Sequence, residues 1–461
     1  MNYLTVDFGS TYTKLVAVNS KTCSILGTAT AFTTIDTDIM DGYNAALTQL
    51  ESEIGKFSYD KLLCCSSAGG GLKMVALGLV PELTAKAARM AASSAGAKVV
   101  KTYAFEISRD EAQEIEKIDA DLILLSGGTD GGNKEVLIAN AKRLASIKGN
   151  FSIIVAGNKS ASFEVEDILK ESGKEYIITD NVMPTFNTLN IEPAKACIRD
   201  LFIRRIIDAK GLSKAQAMAT NEIIPTPSSV LLACELLSKG TKTSPGIGDL
   251  MAADIGGATT DIYSMAKGEP TLANVIFKGL PEPFNKRTVE GDLGMRYSLA
   301  SLSEQINFDL LPEGLTQEDI EEWIHCCIEN PNTIAEVEKE KEELIEAFLA
   351  NTAVKVAVER HCGFMESIFT PMGQFYSLNG KDLTEIPYVI GIGGAIVNSK
   401  HQEYILSGAK YDIQKHGMLK PKNPKYKIDQ RYIFSAMGLL STIDAELALA
   451  LMKKEIKSLA Q

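Results

Sequence analysis

Long hydrophobic runs are missing from this sequence: its longest, such as 122–125 and 153–156, fall far short of the ~20 residues that cross a bilayer. A membrane span is therefore not expected. A secretory leader is not expected either, because Met1, Asn2 and Tyr3 carry no basic charge and Asp7 interrupts the first apolar stretch. These two readings give a cytoplasmic address. Cysteine is sparse, eight residues at 23, 64, 65, 197, 234, 326, 327 and 362 with no CxxC spacing, which predicts reduced and mostly buried thiols. Basic residues are outnumbered, 47 Lys and Arg against 59 Asp and Glu, for a formal charge of −12. Sequence-independent binding to a phosphate backbone needs clustered cations, so nucleic acid is not the expected partner.

What is present is the composition of a folded chain, 45% hydrophobic and 23% charged over 461 residues with only 15 Pro. At ~150 residues per domain the length suggests about three domains, or two lobes with an insertion. Near the start, strand-like runs at 4–8 and 13–18 flank Gly9, Ser10, Thr11 and Tyr12, the composition of a tight turn. From 60 to 183, apolar runs at 62–65, 99–104, 122–125, 153–155 and 176–178 alternate with helical stretches at 84–95, 133–146 and 161–171, which predicts parallel pairing. Residues 193–240 read as mostly helical, ending in a helix over 228–239 after Pro225 and Pro227. A second hairpin spans 250–264. Helices are expected over 316–328, 333–369 and 439–458, and a strand enters a glycine turn and helix over 388–395. Five segments follow: 1–59, an inserted α/β subdomain at 60–183, 184–245, 246–436 and a terminal helix at 437–461.

A nucleoside triphosphate needs backbone N–H groups able to approach its oxygens and a carboxylate to organise hydrated magnesium. Asp7-Phe-Gly-Ser-Thr-Tyr-Thr-Lys14 has these parts: Gly9 admits the turn, Ser10 and Thr11 bring N–H and hydroxyl donors, Lys14 brings positive charge. Asp254-Ile-Gly-Gly-Ala-Thr-Thr-Asp261 repeats the design. Either turn alone reads more readily as an ordinary hairpin; the repetition is the signal. Gly391-Ile-Gly-Gly-Ala395 lacks the GxGxxG spacing of a dinucleotide fingerprint.

The three motifs in this order resemble the phosphate-one, phosphate-two and adenosine signatures of the actin, sugar-kinase and heat-shock-chaperone ATPase superfamily. The resemblance implies an α/β, two-lobed actin-like ATPase fold of duplicated ribonuclease H-like lobes with an inserted α/β subdomain, closing on ATP and Mg2+. It implies that Asp7 and Asp254 organise the metal. It assigns the phosphates to Gly9, Ser10, Thr11 and Lys14 on one side and to Gly256, Gly257 and Thr259 on the other, with Gly393 and Gly394 near the adenosine. Thr226-Pro-Ser-Ser-Val-Leu-Leu-Ala233 resembles the helix before the second hairpin, and Gly291-Asp292-Leu293 the turn after it. Where chaperones carry Glu and actin carries Gln to orient water, this chain has Thr226, a weak base, so slow hydrolysis is expected.

Ser67-Ala-Gly-Gly-Gly71, Leu124-Leu-Ser-Gly-Gly-Thr-Asp-Gly-Gly-Asn133 and Arg287-Thr-Val-Glu-Gly-Asp-Leu-Gly-Met-Arg296 are similar, along essentially the whole chain, to the glutamate mutase accessory family called MutL or GlmL, which shares only its name with a DNA-repair protein. This implies an ATP-dependent chaperone that protects or reactivates an adenosylcobalamin-dependent mutase, with the mutase subunits as partners. Direct cobalamin binding is not expected, since no histidine stands in Asp-x-His-x-x-Gly. A small-molecule kinase of the same superfamily and an actin-like filament protein are the other two readings.

The loop 127–132 follows a buried-strand run and precedes a helix, so it is either a tight turn or an anion or partner site. His325-Cys326-Cys327 and His361-Cys362 have zinc-type donors but sit in helical stretches where cysteine usually packs in the core. Gly157-Asn-Lys-Ser160 is no P-loop, because residue 152 is Ser. The charge run 336–343 reads as a solvated helix face.

Overall fold

Short alternating runs between small turn residues build two sheets on one plan. The computed structural model describes residues 1–34, 37–67, 72–202, 204–205, 212–335, 339–371 and 373–459. The glycines of 67–71 and the first three residues of the 336–343 charge run lie outside them. The chain divides into two compact units, Met1–Val230 with Gly279–Pro281, and Leu231–Lys278 with Glu282–Gln461.

In the first unit, β1 (Asn2–Phe8), β2 (Tyr12–Asn19) and β3 (Ser24–Phe32) form an antiparallel meander, while β4 (Lys61–Ser66) lies parallel to β1 on its other side. Between β3 and β4 runs the helix Ile39–Ile54. Asp38 caps it by accepting the Met40 N–H, Gly55 ends it, and its buried Ile39, Tyr43, Ala46 and Leu50 share one face. That face packs with Leu4, Val6, Phe8 and Leu15 of the sheet.

After β4 comes an insertion of five parallel strands, β5 (Lys73–Gly78), β6 (Lys98–Ala104), β7 (Leu122–Leu125), β8 (Ser152–Val155) and β9 (Tyr176–Ile178), in the order β6-β5-β7-β8-β9. The apolar runs are nearly unbroken because helices such as Glu135–Ser146 and Ser162–Ser172 pack against the sheet, closing a core of Val75, Leu77, Ile123, Leu125, Val165 and Leu169. The short β10 (Ile224–Pro225) then returns to pair parallel with β4, and the helix Thr226–Lys239 follows; the division between the units falls within it.

The second unit repeats the first. Strands β11 (Leu250–Ile255) and β12 (Thr260–Met265) form a hairpin; after β13 (Val275–Lys278), β14 (Asn285–Glu290) joins antiparallel to β12. A hairpin of β15 (Phe364–Thr370) and β16 (Gly373–Asn379) comes next, and β17 (Tyr388–Ile392) and β18 (Lys425–Ile428) lie parallel on the far side of β11. Numbered within its own sheet, the first reads 3-2-1-4-5, and the second reads the same with the same parallel and antiparallel pairs, plus a sixth strand, Lys457–Ser458, antiparallel to β18. This is the duplicated ribonuclease H-like plan of the actin-like ATPase fold. The long helix Glu340–His361 covers the second sheet, packing Phe348, Val354 and Val358 with Met251, Ala253 and Ile262.

Several expected elements fall differently. The run 62–65, expected in the inserted segment, is β4 of the first sheet, because a short apolar run does not reveal which strand it will join. The helix expected over 333–369 stops at His361; Gly363 follows, and the β-branched and aromatic residues of Phe364–Thr370 form a strand. With β13, this hairpin makes a separate three-stranded sheet with a small core around Met365, Leu378 and Leu419. The helix expected over 439–458 is two, Phe434–Ser441 and Ala445–Glu455, the second started by Asp444 accepting the Leu447 N–H. Among the described residues no helix is long and apolar enough to cross a membrane.

Candidate nucleotide site

The two motif turns have the same local geometry in both units. In the first, Gly9 N–H donates to Tyr12 O across 3.1 Å, and Asp7 on β1 faces Lys14 on β2. In the second, Gly256 N–H donates to Thr259 O across 2.9 Å, and Asp254 on β11 faces Asp261 on β12. Gly9 is required by space, since a Cβ there would meet Tyr12 O at 2.5 Å. Ser10 is exposed and Thr11 partly so, leaving their N–H groups and hydroxyls at the surface of the turn.

Each aspartate ends a strand whose neighbours on one side run parallel to it, so several carboxyl ends gather around it, the usual ligand-facing edge of such a sheet. Asp7 is 5% exposed. Its Oδ1 accepts the Thr226 hydroxyl at 2.5 Å, and that hydroxyl lies 3.7 Å from Cys65 Sγ. Burial and then the Asp7 charge push the Cys65 thiol up, keeping it protonated.

Asp254 is partly buried and also lies near a buried thiol in the second unit. Burial, followed by the charges of Asp254 and Asp429, pushes the Cys234 thiol up. The parallel pairing of β11 and β17 sets Asp254 opposite Ile392, which brings the third motif beside the second. Gly393, with φ of 90°, fits there only without a side chain, since a Cβ would lie 2.3 Å from Ile255 O and 2.9 Å from Asp254 Oδ1. Beyond β18, Asp429 accepts the N–H groups of Ile433 and Phe434, and Tyr432 has φ of 53° with its hydroxyl 3.5 Å from the place of a Gly394 Cβ.

The structure thus gathers Asp7, Gly9, Ser10, Thr11 and Lys14 on one hairpin of the first unit. It gathers Asp254, Gly256, Gly257 and Thr259 on one hairpin of the second, with Gly393 and Gly394 beside it. Carboxylate and hydroxyl oxygens with glycine cradles are a donor set that suits a hydrated magnesium ion and phosphate.

Comparison with known proteins bears on the same chain length. The family model described as MutL protein matches residues 3–456. Protein MutL of Clostridium tetanomorphum is 48% identical over 455 residues, covering 98% of each chain. The chain belongs to the MutL protein family. That is the resemblance read from its motifs. Among solved structures, a gluconate kinase from Lactobacillus acidophilus is 9% identical with a TM-score of 0.34, covering 100% of this chain and 93% of that one. A glycerol kinase from Plasmodium falciparum, solved with ADP, is 10% identical with a TM-score of 0.34 at the same coverage. Overlaps this loose add nothing to the strand order, on which the fold assignment rests.

Other polar clusters of this MutL family member make bonds of their own. In the loop 127–132, Asp130 Oδ1 accepts the Lys159 N–H and an Asn181 N–H. Fully buried Asn158 accepts from Gly131 and donates to Gly132 O and Asn133 O. These bonds stitch neighbouring strand ends together, which both a tight turn and an anion or partner site would accommodate. His361 is fully buried with Thr288 Oγ1 and Ser264 Oγ each 2.8 Å from a ring nitrogen. His325 pairs with Glu329, Cys326 is exposed, and Cys327 is buried. Sequence reasoning missed Cys65 and Tyr432, for neither stands in a motif; the Thr226 bond to Asp7 depends on β10 returning to β4.

Proposed function

We propose that this protein binds ATP with Mg2+ through both hairpins and serves as an accessory chaperone of an adenosylcobalamin-dependent mutase, with glutamate mutase subunits as its partners. The observation that carries the nucleotide half is the repeated hairpin: an aspartate at a strand end, a glycine whose N–H closes the turn, and hydroxyl residues beside it, once in each unit. Asp7 and Asp254 take the waters of the metal. Gly9, Ser10, Thr11 and Lys14, and Gly256, Gly257 and Thr259, hold the phosphates; Gly393 and Gly394 approach the adenosine. Family membership supports the partner half.

Hydrolysis is slow on this reading, because Thr226 cannot act as a base near neutral pH and spends its hydroxyl hydrogen on Asp7. Binding and release of nucleotide then govern the hold on the mutase, letting damaged cofactor leave. The test is co-purification with glutamate mutase subunits with and without ATP, followed by recovery of activity from cofactor-inactivated mutase. A nucleotide-dependent complex that restores activity is expected; no complex and no recovery would reject the chaperone reading.

A further inference from the structure

Thr226 stands where the superfamily resemblance places a residue that orients attacking water, yet its hydroxyl is aimed elsewhere. We propose that Thr226 is a positioning residue for Asp7, holding the carboxylate in the orientation in which it receives the waters of magnesium. This rests on the nucleotide reading above. The three parallel strands β1, β4 and β10 place Asp7 opposite Cys65 and Cys65 opposite Ile224, so Thr226 arrives two residues beyond that row. From there it donates to Asp7 Oδ1 at 2.5 Å, a short bond of the charge-assisted kind.

Threonine suits this task for three reasons. Its hydroxyl has a single hydrogen, which is spent on Asp7 and is no longer available to polarise a water. Its branched Cβ restricts χ1, so the hydroxyl stays aimed. Asp7 is nearly buried, where an unpinned carboxylate is costly. One oxygen of Asp7 is held by the protein, which orients the other. The bond also ties Asp7 to the first residue of the helix in which the two units divide.

The experiment is calorimetric titration of ATP into the full-length protein, in Mg2+ and in EDTA, for wild type, T226V, T226A and T226S. The wild type is expected to bind more tightly with Mg2+ than without. T226V and T226A should each lose about tenfold in affinity with Mg2+, the effect of one hydrogen bond to a charged group, and keep wild-type affinity in EDTA. T226S should lie within about twofold of wild type in both media. If T226V and T226A keep the wild-type ratio of the two affinities, or weaken both alike, the positioning role is overturned while ATP binding stands. Wild type that binds no ATP in either medium would overturn the nucleotide reading and this inference with it.

Discussion

Arg287 closes on Asp261 inside the second unit, with Nη2 2.6 Å and Nε 2.8 Å from the same carboxylate oxygen. Asp261 occupies the hairpin position that Lys14 holds in the first unit, facing the motif aspartate across the ladder. The repeat therefore differs in charge at its eighth residue, and Arg287 on β14 answers the difference. With 3% and 10% of their side chains exposed, the partners depend on each other. Arg287→Met should cost about 3–5 kcal/mol, since it leaves a buried carboxylate without its cation and with only the Thr259 hydroxyl as partner among the described residues. Urea unfolding followed by circular dichroism measures it, and a loss under 1 kcal/mol would show that water already reaches Asp261.

Asp7→Asn and Asp254→Asn each keep the shape of the strand end and remove the charge. Each variant should weaken ATP binding in Mg2+ by at least about tenfold, the scale of one lost interaction with a charged group. The unfolding midpoints should move little. Two variants that both bind ATP and magnesium as well as wild type would remove these hairpins from the site.

His361 makes stability sensitive to acid. Burial, then the charges of Lys286 and Lys381, hold its pKa well below the ordinary 6.5, so the folded ring stays neutral. Below pH 6.5 the unfolded chain takes up a proton that the folded chain refuses. Stability is therefore full above that pH and falls as the pH drops beneath it, by about 1.4 kcal/mol per unit for one proton. In His361→Gln the proton-linked slope between pH 6.5 and 5 should shrink by one proton; urea midpoints across that range would expose an unchanged slope.

Asp130→Ala tests the loop 127–132. Because Asp130 bonds within the insertion to Lys159 and Asn181, the loss should be about 1–3 kcal/mol of stability, with ATP binding untouched. A variant of normal stability that no longer binds the mutase would make the loop a partner site.

The hairpins were readable from sequence because each is local: glycine, hydroxyl residues and flanking alternation lie within eight positions. Most insertion strands were readable for the same reason, as buried runs between helical stretches. Partner choice was not. Residues 62–65 resemble the insertion strands in every local respect and join β1 because of tertiary packing. Strand β15 was hidden by the apolar content of the helix before it. The bond from Thr226 to Asp7 links positions more than two hundred residues apart. It exists because β10 returns after the whole insertion, which no periodicity records.

Gly393 limits what any descendant of this chain can become. A methyl group at that place would collide with a peptide oxygen as well as with the aspartate. Gly173 and Gly314, by contrast, have open space where a side chain would stand, although their backbones favour glycine. In a saturation library, position 393 should be an empty column, because a substitution there deforms the junction of β11 and β17 before a ligand ever arrives.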